Sequence, residues 1–174
     1  MKLVKMYDAQ GGMGMDYILN RLEKTYAEEY FDAEDSRGLV DAAIQMVRIE
    51  KMARREGLLS LISLLNDPDF SEYIEEYCNK YQVSLLNMES FDAYLCFLLE
   101  KITMGVDRAD IRKMGLLTMS TSCFSGYQFV KYAIWLEGVL AIQAGAHPLT
   151  LRDLLAVYLP AEARKTFMEE TANE

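Results

Sequence analysis

Apolar residues recur along this chain at intervals of three and four, the period of an amphipathic helix. Alternating polar and apolar runs are scarce, and no Asn-Gly or Asp-Gly turn is present to close a hairpin. Residues 1–15 read as a polar, glycine-containing lead-in, with Lys2 to Tyr7 as a short strand or extended arm. A first helix is predicted over Asp16 to Tyr30, with Tyr17, Ile18, Leu22 and Tyr26 on one side. An acidic connection from Phe31 to Asp35 follows, and Ser36 is the expected N-cap of the next helix.

That second helix, Gly38 to Leu65, is the longest. Leu39, Ala42, Ala43, Met46, Ile49 and Ala53 form its buried stripe. The opposite side carries Arg48, Lys51 and Arg55, while Glu50 stands four residues before Arg54 and can pair with it. Gly57 predicts a kink or a close backbone approach, and Asn66-Asp67-Pro68 ends the run because the residue before a proline avoids helical geometry. Further helices are expected from Asp69 or Ser71 to Tyr81, over Met88–Met104 with Phe91, Leu95, Leu98 and Leu99 in the core, and after Asp107 with Ile111, Met114 and Leu117 inside. Gly105 closes the second of these, and Asp107 with Asp110 opens the third in the manner of a capping box. From Phe124 to Gln143 the chain is apolar on nearly every side, which marks a central helix with neighbours all round. Gly145 ends it. Thr150 and Asp153 are the expected caps of the following helix, and residues 161–174 read as a final polar helix or a frayed tail. The sum is an all-α single domain, a compact bundle of about six or seven helices.

Composition narrows the class. A length of 174 residues suits one domain, and 51% hydrophobic residues are too many for a disordered chain. With 18 basic against 27 acidic residues the net charge is −9, the wrong sign for a nucleic-acid binder. The most apolar stretch, Gly115 to Ile142, is broken by Lys131 and Glu137, so no membrane span is expected. The N-terminal residues lack the apolar run of a secretory signal. Three cysteines without a Cys-x-x-Cys pair fit buried thiols in a reducing, cytoplasmic compartment.

Little of the remaining chemistry points to catalysis. Gly11-Gly12-Met13-Gly14 matches neither the phosphate-binding loop nor the dinucleotide fingerprint. His147 beside Pro148, with Cys96 and Cys123 in apolar surroundings, lacks the pattern of an activated thiol. The acidic cluster Asp67, Asp69, Glu72, Glu75 and Glu76 does not follow the calcium-loop spacing. No catalytic residue, metal or cofactor is therefore assigned. One group stands out from the acidic background: Arg48, Lys51, Arg54 and Arg55. Residues 48 to 56 hold four basic and two acidic side chains, a local +2. Such a face is either plain solvated surface or a docking site for an acidic protein partner.

Three motifs share an order. Ala53-Arg54-Arg55-Glu56-Gly57-Leu58-Leu59-Ser60-Leu61 resembles the Ala-Arg-Arg-Glu-Gly-Leu-Leu-Ala-Leu segment of the flagellar stator subunit MotA family. Gly105-Val106-Asp107-Arg108-Ala109-Asp110-Ile111-Arg112 is similar to that family's Gly-x-Asp-Pro-Glu-x-Ile-Arg turn. Leu136-Glu137-Gly138-Val139-Leu140-Ala141-Ile142-Gln143-Ala144-Gly145, with Pro148 and the Leu154–Pro160 ending, resembles its C-terminal helix. The resemblance implies the family's cytoplasmic helical part without its four membrane helices, hence no ion conduction. In the family an arginine of the first motif and an acidic residue at its end contact the rotor switch protein. The arginine corresponds to Arg54, whereas Ile62 occupies the acidic position. The expected role is protein–protein interaction through Arg48, Lys51, Arg54 and Arg55, associated with motility and leaving a homo-oligomer open. The rival expectation is a small-molecule-binding or enzymatic helical domain whose eleven methionines and eleven tyrosines line a pocket rather than fill a core.

Overall fold

A computed structural model describes residues 15–66, 93–123 and 125–172. The described residues form eight α-helices and no strand: α1 Met15–Glu28, α2 Ala33–Glu56, α3 Leu61–Asn66, α4 Ala93–Thr103, α5 Arg108–Ser122, α6 Gly126–Gln143, α7 Pro148–Ala156 and α8 Ala161–Glu170. A 3-10 turn, Leu58–Ser60, joins α2 to α3. Among the described residues no helix is long and apolar enough to cross a membrane. The expected arm at Lys2–Tyr7, the glycines at 11–14, the helix ending at Tyr81, the acidic cluster from Asp67 to Glu76, and Cys78 and Phe91 lie outside the described residues.

The helices begin and end where local chemistry satisfies their terminal groups. The Asp32 side chain accepts from the Asp35 amide at 2.8 Å and starts α2 earlier than Ser36 would. Asp107 caps α5 as its sequence position predicts, accepting from the Ala109 amide at 2.8 Å. The cap of α7 is His147, not Thr150, because Pro148 fits the first helical position, where no amide donor is needed. Gly57 does not kink the long helix but ends it: at φ 86° the backbone has left the helical region, and α3 restarts beyond the 3-10 turn. Gly105 and Gly145, also at positive φ, close α4 and α6 with one hydrogen-bond pattern. In each the next residue's amide reaches back five carbonyls, Val106 to Lys101 and Ala146 to Ala141, both at 3.0 Å.

Helix α6, together with α2, supplies most of the core. It packs against α1, α2, α4, α5 and α7. On α2 the whole expected stripe from Leu39 to Ala53 is buried, and so are Leu95, Leu98 and Leu99 on α4 and Ile111 on α5. Met114 and Leu117 are only half-buried, while Leu116 and Met119 turn inward instead. Aromatic contacts tie α4 to α6: Tyr94 stacks on Tyr132 with centroids 4.2 Å apart. Close approach depends on small residues. A Cβ on Gly138 would stand 2.7 Å from Met46 Cγ of α2, and one on Gly115 would stand 2.6 Å from Leu136 Cδ1.

The C-terminal segment is a docked helix, not a frayed tail. Ala163, Phe167 and Thr171, spaced by four, are buried, and α8 packs on α2 and α7. Arg37 of α2 holds Glu170 by two hydrogen bonds of 2.6 and 3.3 Å. Arg164 donates to the carbonyls of Ala156 and Leu159, at 2.9 and 3.2 Å, where α7 runs out of partners of its own. Nearby, the Tyr26 hydroxyl donates to the Tyr158 carbonyl and links α1 to the end of α7. Burial pushes the Tyr26 pKa up to about 12, with Arg164 pulling the other way. Burial, then the Glu137 charge, also holds the Tyr158 phenol above the ordinary tyrosine range.

Two outcomes follow from this packing. Gly138→Ala overpacks the α2–α6 contact by about 1–3 kcal/mol, against about 1 kcal/mol gained in helix propensity. In urea denaturation it loses stability, and Met46→Ala combined with it costs less than the sum of the two single changes. The tyrosines set an alkaline limit. A phenol whose folded pKa lies above its unfolded value of about 10 contributes stability that is complete below that pH. For Tyr26 the contribution is lost as pH rises from there through about 12. Stability measured across that window falls, and Tyr26→Phe makes the fall shallower.

Candidate functional site

The four basic residues singled out in the sequence all lie on the C-terminal half of α2, but the fold gives them different work. Successive residues on a helix are turned by about 100°, so Arg54 and Arg55 leave it in different directions. Arg48, Lys51 and Arg55, spaced three and four apart, share one face. Along it Arg48 and Lys51 are half-buried and Arg55 is exposed.

Arg54 belongs to another construction. Its Nε donates to Glu50 Oε1 at 2.6 Å, and its Nη2 donates to the Ala146 carbonyl at 2.8 Å, in the turn between α6 and α7. Glu50 is 3% exposed. A carboxylate so deep needs a partner, since the cost of removing it from water is several kcal/mol. Arg54, with 48% of its side chain still exposed, supplies the charge and spans to the neighbouring turn. The i,i+4 pairing is therefore present as the spacing implies. Its consequence for the candidate face is a correction in emphasis: Arg54 is a clamp inside the fold, and Arg55 is the outward charge.

The rest of the Ala53–Leu61 segment divides in the same way. Ala53 and Leu61 are buried, whereas Leu59 is 69% exposed. Ile62 follows, also exposed, and with Met104 of α4 it borders an open cleft of about 580 Å³. Leu59, Ile62 and Met104 are among the largest apolar side chains the described surface presents to water.

A second, smaller cleft of about 200 Å³ lies between the C-terminal ends of α2 and α6. Glu50, Arg54, Gln143 and Gly145 line it, with Ala53, Leu58 and Ile142 as apolar wall. Gln143 Nε2 donates to the Val106 carbonyl at 2.8 Å. Glu50 Oε2 and Gln143 Oε1 are both buried, each without a hydrogen-bond partner. Sequence reasoning pairs Glu50 with Arg54 and gives Gln143 no role. The available signal is that Glu50 stands four residues after Met46 and three before Ala53, inside the apolar stripe.

The other candidates are quickly placed. His147 is exposed and accepts from the Leu149 amide at 3.3 Å, which makes it a helix cap. Cys96 and Cys123, expected to be buried, are half-buried. Among the described residues no three or more His, Cys, Asp or Glu side chains gather as metal ligands. No protein-family model matches this chain, and neither does any curated protein or solved structure.

The division of labour between adjacent arginines is open to measurement. Arg54→Ala leaves Glu50 buried beside no charge and lowers the unfolding free energy by about 1–3 kcal/mol. Arg55→Ala, at an exposed position, changes it by less than about 1 kcal/mol. Guanidinium or urea denaturation of the two single variants distinguishes them.

Proposed function

We propose that this chain is a MotA-like helical interaction domain of the cytoplasm, associated with motility and without ion conduction, that docks an acidic protein partner. The observation that carries the reading is what the Ala53–Leu61 segment leaves over. Ala53 and Leu61 are spent on the core and Arg54 on Glu50, while Arg55 and Leu59 face outward. Exposed Arg55 and Leu59 stand four residues apart, Ile62 follows and borders a cleft with Met104, and together they have the composition of a docking patch with apolar and charged parts. Arg48 and Lys51 extend the positive rim along α2. In a protein of net charge −9, that rim is where an acidic surface meets least repulsion.

The decisive comparison uses variants that spare Arg54, because charge reversal there would unfold the site along with testing it. Affinity capture from the native cells with the unaltered chain should recover a partner that weakens as salt is raised. Arg55→Glu with Leu59→Asp should reduce that binding by roughly 30-fold or more, the loss typical of removing a binding hot spot. Circular dichroism should stay unchanged. Equal recovery by the variant and the unaltered chain at every salt concentration overturns the reading.

A further inference from the structure

Met104 differs from the other methionines whose side chains are described. It is 65% exposed, whereas Met46, Met52 and Met119 are buried and Met114 and Met168 are half-buried. Its place in the fold explains this. It follows the last residue of α4 and precedes the positive-φ Gly105, with its amide on the Glu100 carbonyl at 3.0 Å. The side chain is left on the open cleft it shares with Ile62, Phe97 and Glu100. A cation stands against its sulfur. Lys101 Nζ donates to Met104 Sδ at 3.9 Å and to Glu100 Oε2 at 2.9 Å, and lies 5.1 Å from the centre of the Phe97 ring. Only 19% of the Lys101 side chain is exposed, so packing as well as bonding positions the ammonium. A thioether is a weak acceptor, and a charged donor directed at it is poorly matched.

We propose that Met104 is a site of reversible oxidation by hydrogen peroxide, with Lys101 steering the oxygen to one side of the sulfur. A sulfur lone pair attacks one peroxide oxygen, and the S–O bond forms as the O–O bond breaks. The transferred oxygen gives its proton to the departing one, which leaves as water. Sulfur loses two electrons and the peroxide gains them. Negative charge builds on the peroxide during this step, and the Lys101 ammonium is the donor beside it. The two lone pairs of the sulfur lead to different epimers, and the ammonium lies on the side of one of them. The oxygen delivered there exchanges a weak N–H···S contact for a charge-assisted hydrogen bond. The consequence, unlike the chemistry, rests on the docking reading. Met104 is one of the apolar side chains of that patch, and its sulfoxide is polar, so peroxide turns an apolar part of the patch into a polar one.

The full chain is treated with dilute hydrogen peroxide at neutral pH, and oxidation at each methionine is followed by peptide mass spectrometry. Met104 should oxidise at least about tenfold faster than Met46, Met52 and Met119, and ahead of Met114 and Met168. Two epimer-specific methionine sulfoxide reductases, applied to the oxidised Met104 peptide, should reduce unequal shares, differing by about threefold or more. Lys101→Gln should make the shares equal, and Lys101→Arg, which keeps a cationic donor, should retain the bias. Cys96→Ala, which removes the thiol lining the same cleft, should leave both rate and bias unchanged. The consequence is read separately: peroxide should lower recovery of the salt-sensitive partner by the unaltered chain but not by Met104→Leu, which is apolar and resists oxidation. Equal or slower oxidation at Met104, equal epimers in the unaltered chain, a bias that survives Lys101→Gln, or oxidation lost in Cys96→Ala overturns the site. An equal peroxide loss in Met104→Leu overturns its control of docking, whereas the docking reading itself fails only with Arg55→Glu and Leu59→Asp.

Discussion

Helix α6 has almost no face to give to water: 14 of its 18 residues are buried, and one of those is a glutamate. A helix of that kind is stable only when neighbours surround it, and five of the other helices do. The requirement sets much of the remaining architecture. Neighbours must come close, which explains why Gly138 faces Met46 and Gly115 faces Leu136. They must also neutralise Glu137. Arg112 of α5 does so, with its Nη1 2.8 Å from Glu137 Oε1 and its Nη2 donating to Oε2 at 3.0 Å. A pair this deep gains little over two apolar residues of the same size. Its effect is to fix the register of α5 against α6, since any slip would leave a charge buried without its partner.

The same solution appears a second time on α2, with a different reach. Glu50, like Glu137, interrupts an apolar stripe and is almost fully buried. Its arginine comes from one turn further along the same helix, so the pair by itself fixes no register between helices. The second arm of Arg54, on the Ala146 carbonyl, supplies that link. The end of α2 is thereby held to the turn after α6. Glu137 has both oxygens close to Arg112, at 2.8 and 3.0 Å, although only Oε2 accepts a hydrogen bond from it. Glu50 uses one oxygen and keeps the other, which is why an unmet acceptor is found at this end of the bundle.

Most of the framework was legible because strong local signals and long periodic stripes agree. Leu39 to Ala53, Leu95 to Leu99, Asp107, Gly105 and Gly145 all stand where periodicity and cap chemistry put them. The misses have common physical causes. At Ser36 and Thr150 an earlier residue took the cap: Asp32 accepts from the Asp35 amide, and His147 stands before Pro148, which fits the first helical position. Gly57 was a weak helix residue in prospect, yet only its positive φ makes it a terminus. Helix α8 looked polar because only two of its ten residues, Ala163 and Phe167, form its buried face, too few to register as a stripe. Its docking depends on Arg37 and Arg164, whose partners are distant in sequence or lie on the backbone. The two orphaned oxygens could not be read at all, since an unmet acceptor is a property of the surroundings and not of the residue.

The basic segment shows how far residue type is from role. Arg54 and Arg55 are the same amino acid, one position apart on α2. A helix turns about 100° between them, and that rotation separates a clamp from a surface charge. Conservation of charge at such a segment would therefore have two unrelated reasons, one for folding and one for recognition. Substituting both together, as the sequence alone would recommend, mixes the two. Glu50 separates them: where a buried carboxylate sits one turn back from an arginine, that arginine answers first to the core. On α2 that arginine is Arg54, and its exposed neighbour Arg55 leaves the helix about 100° away.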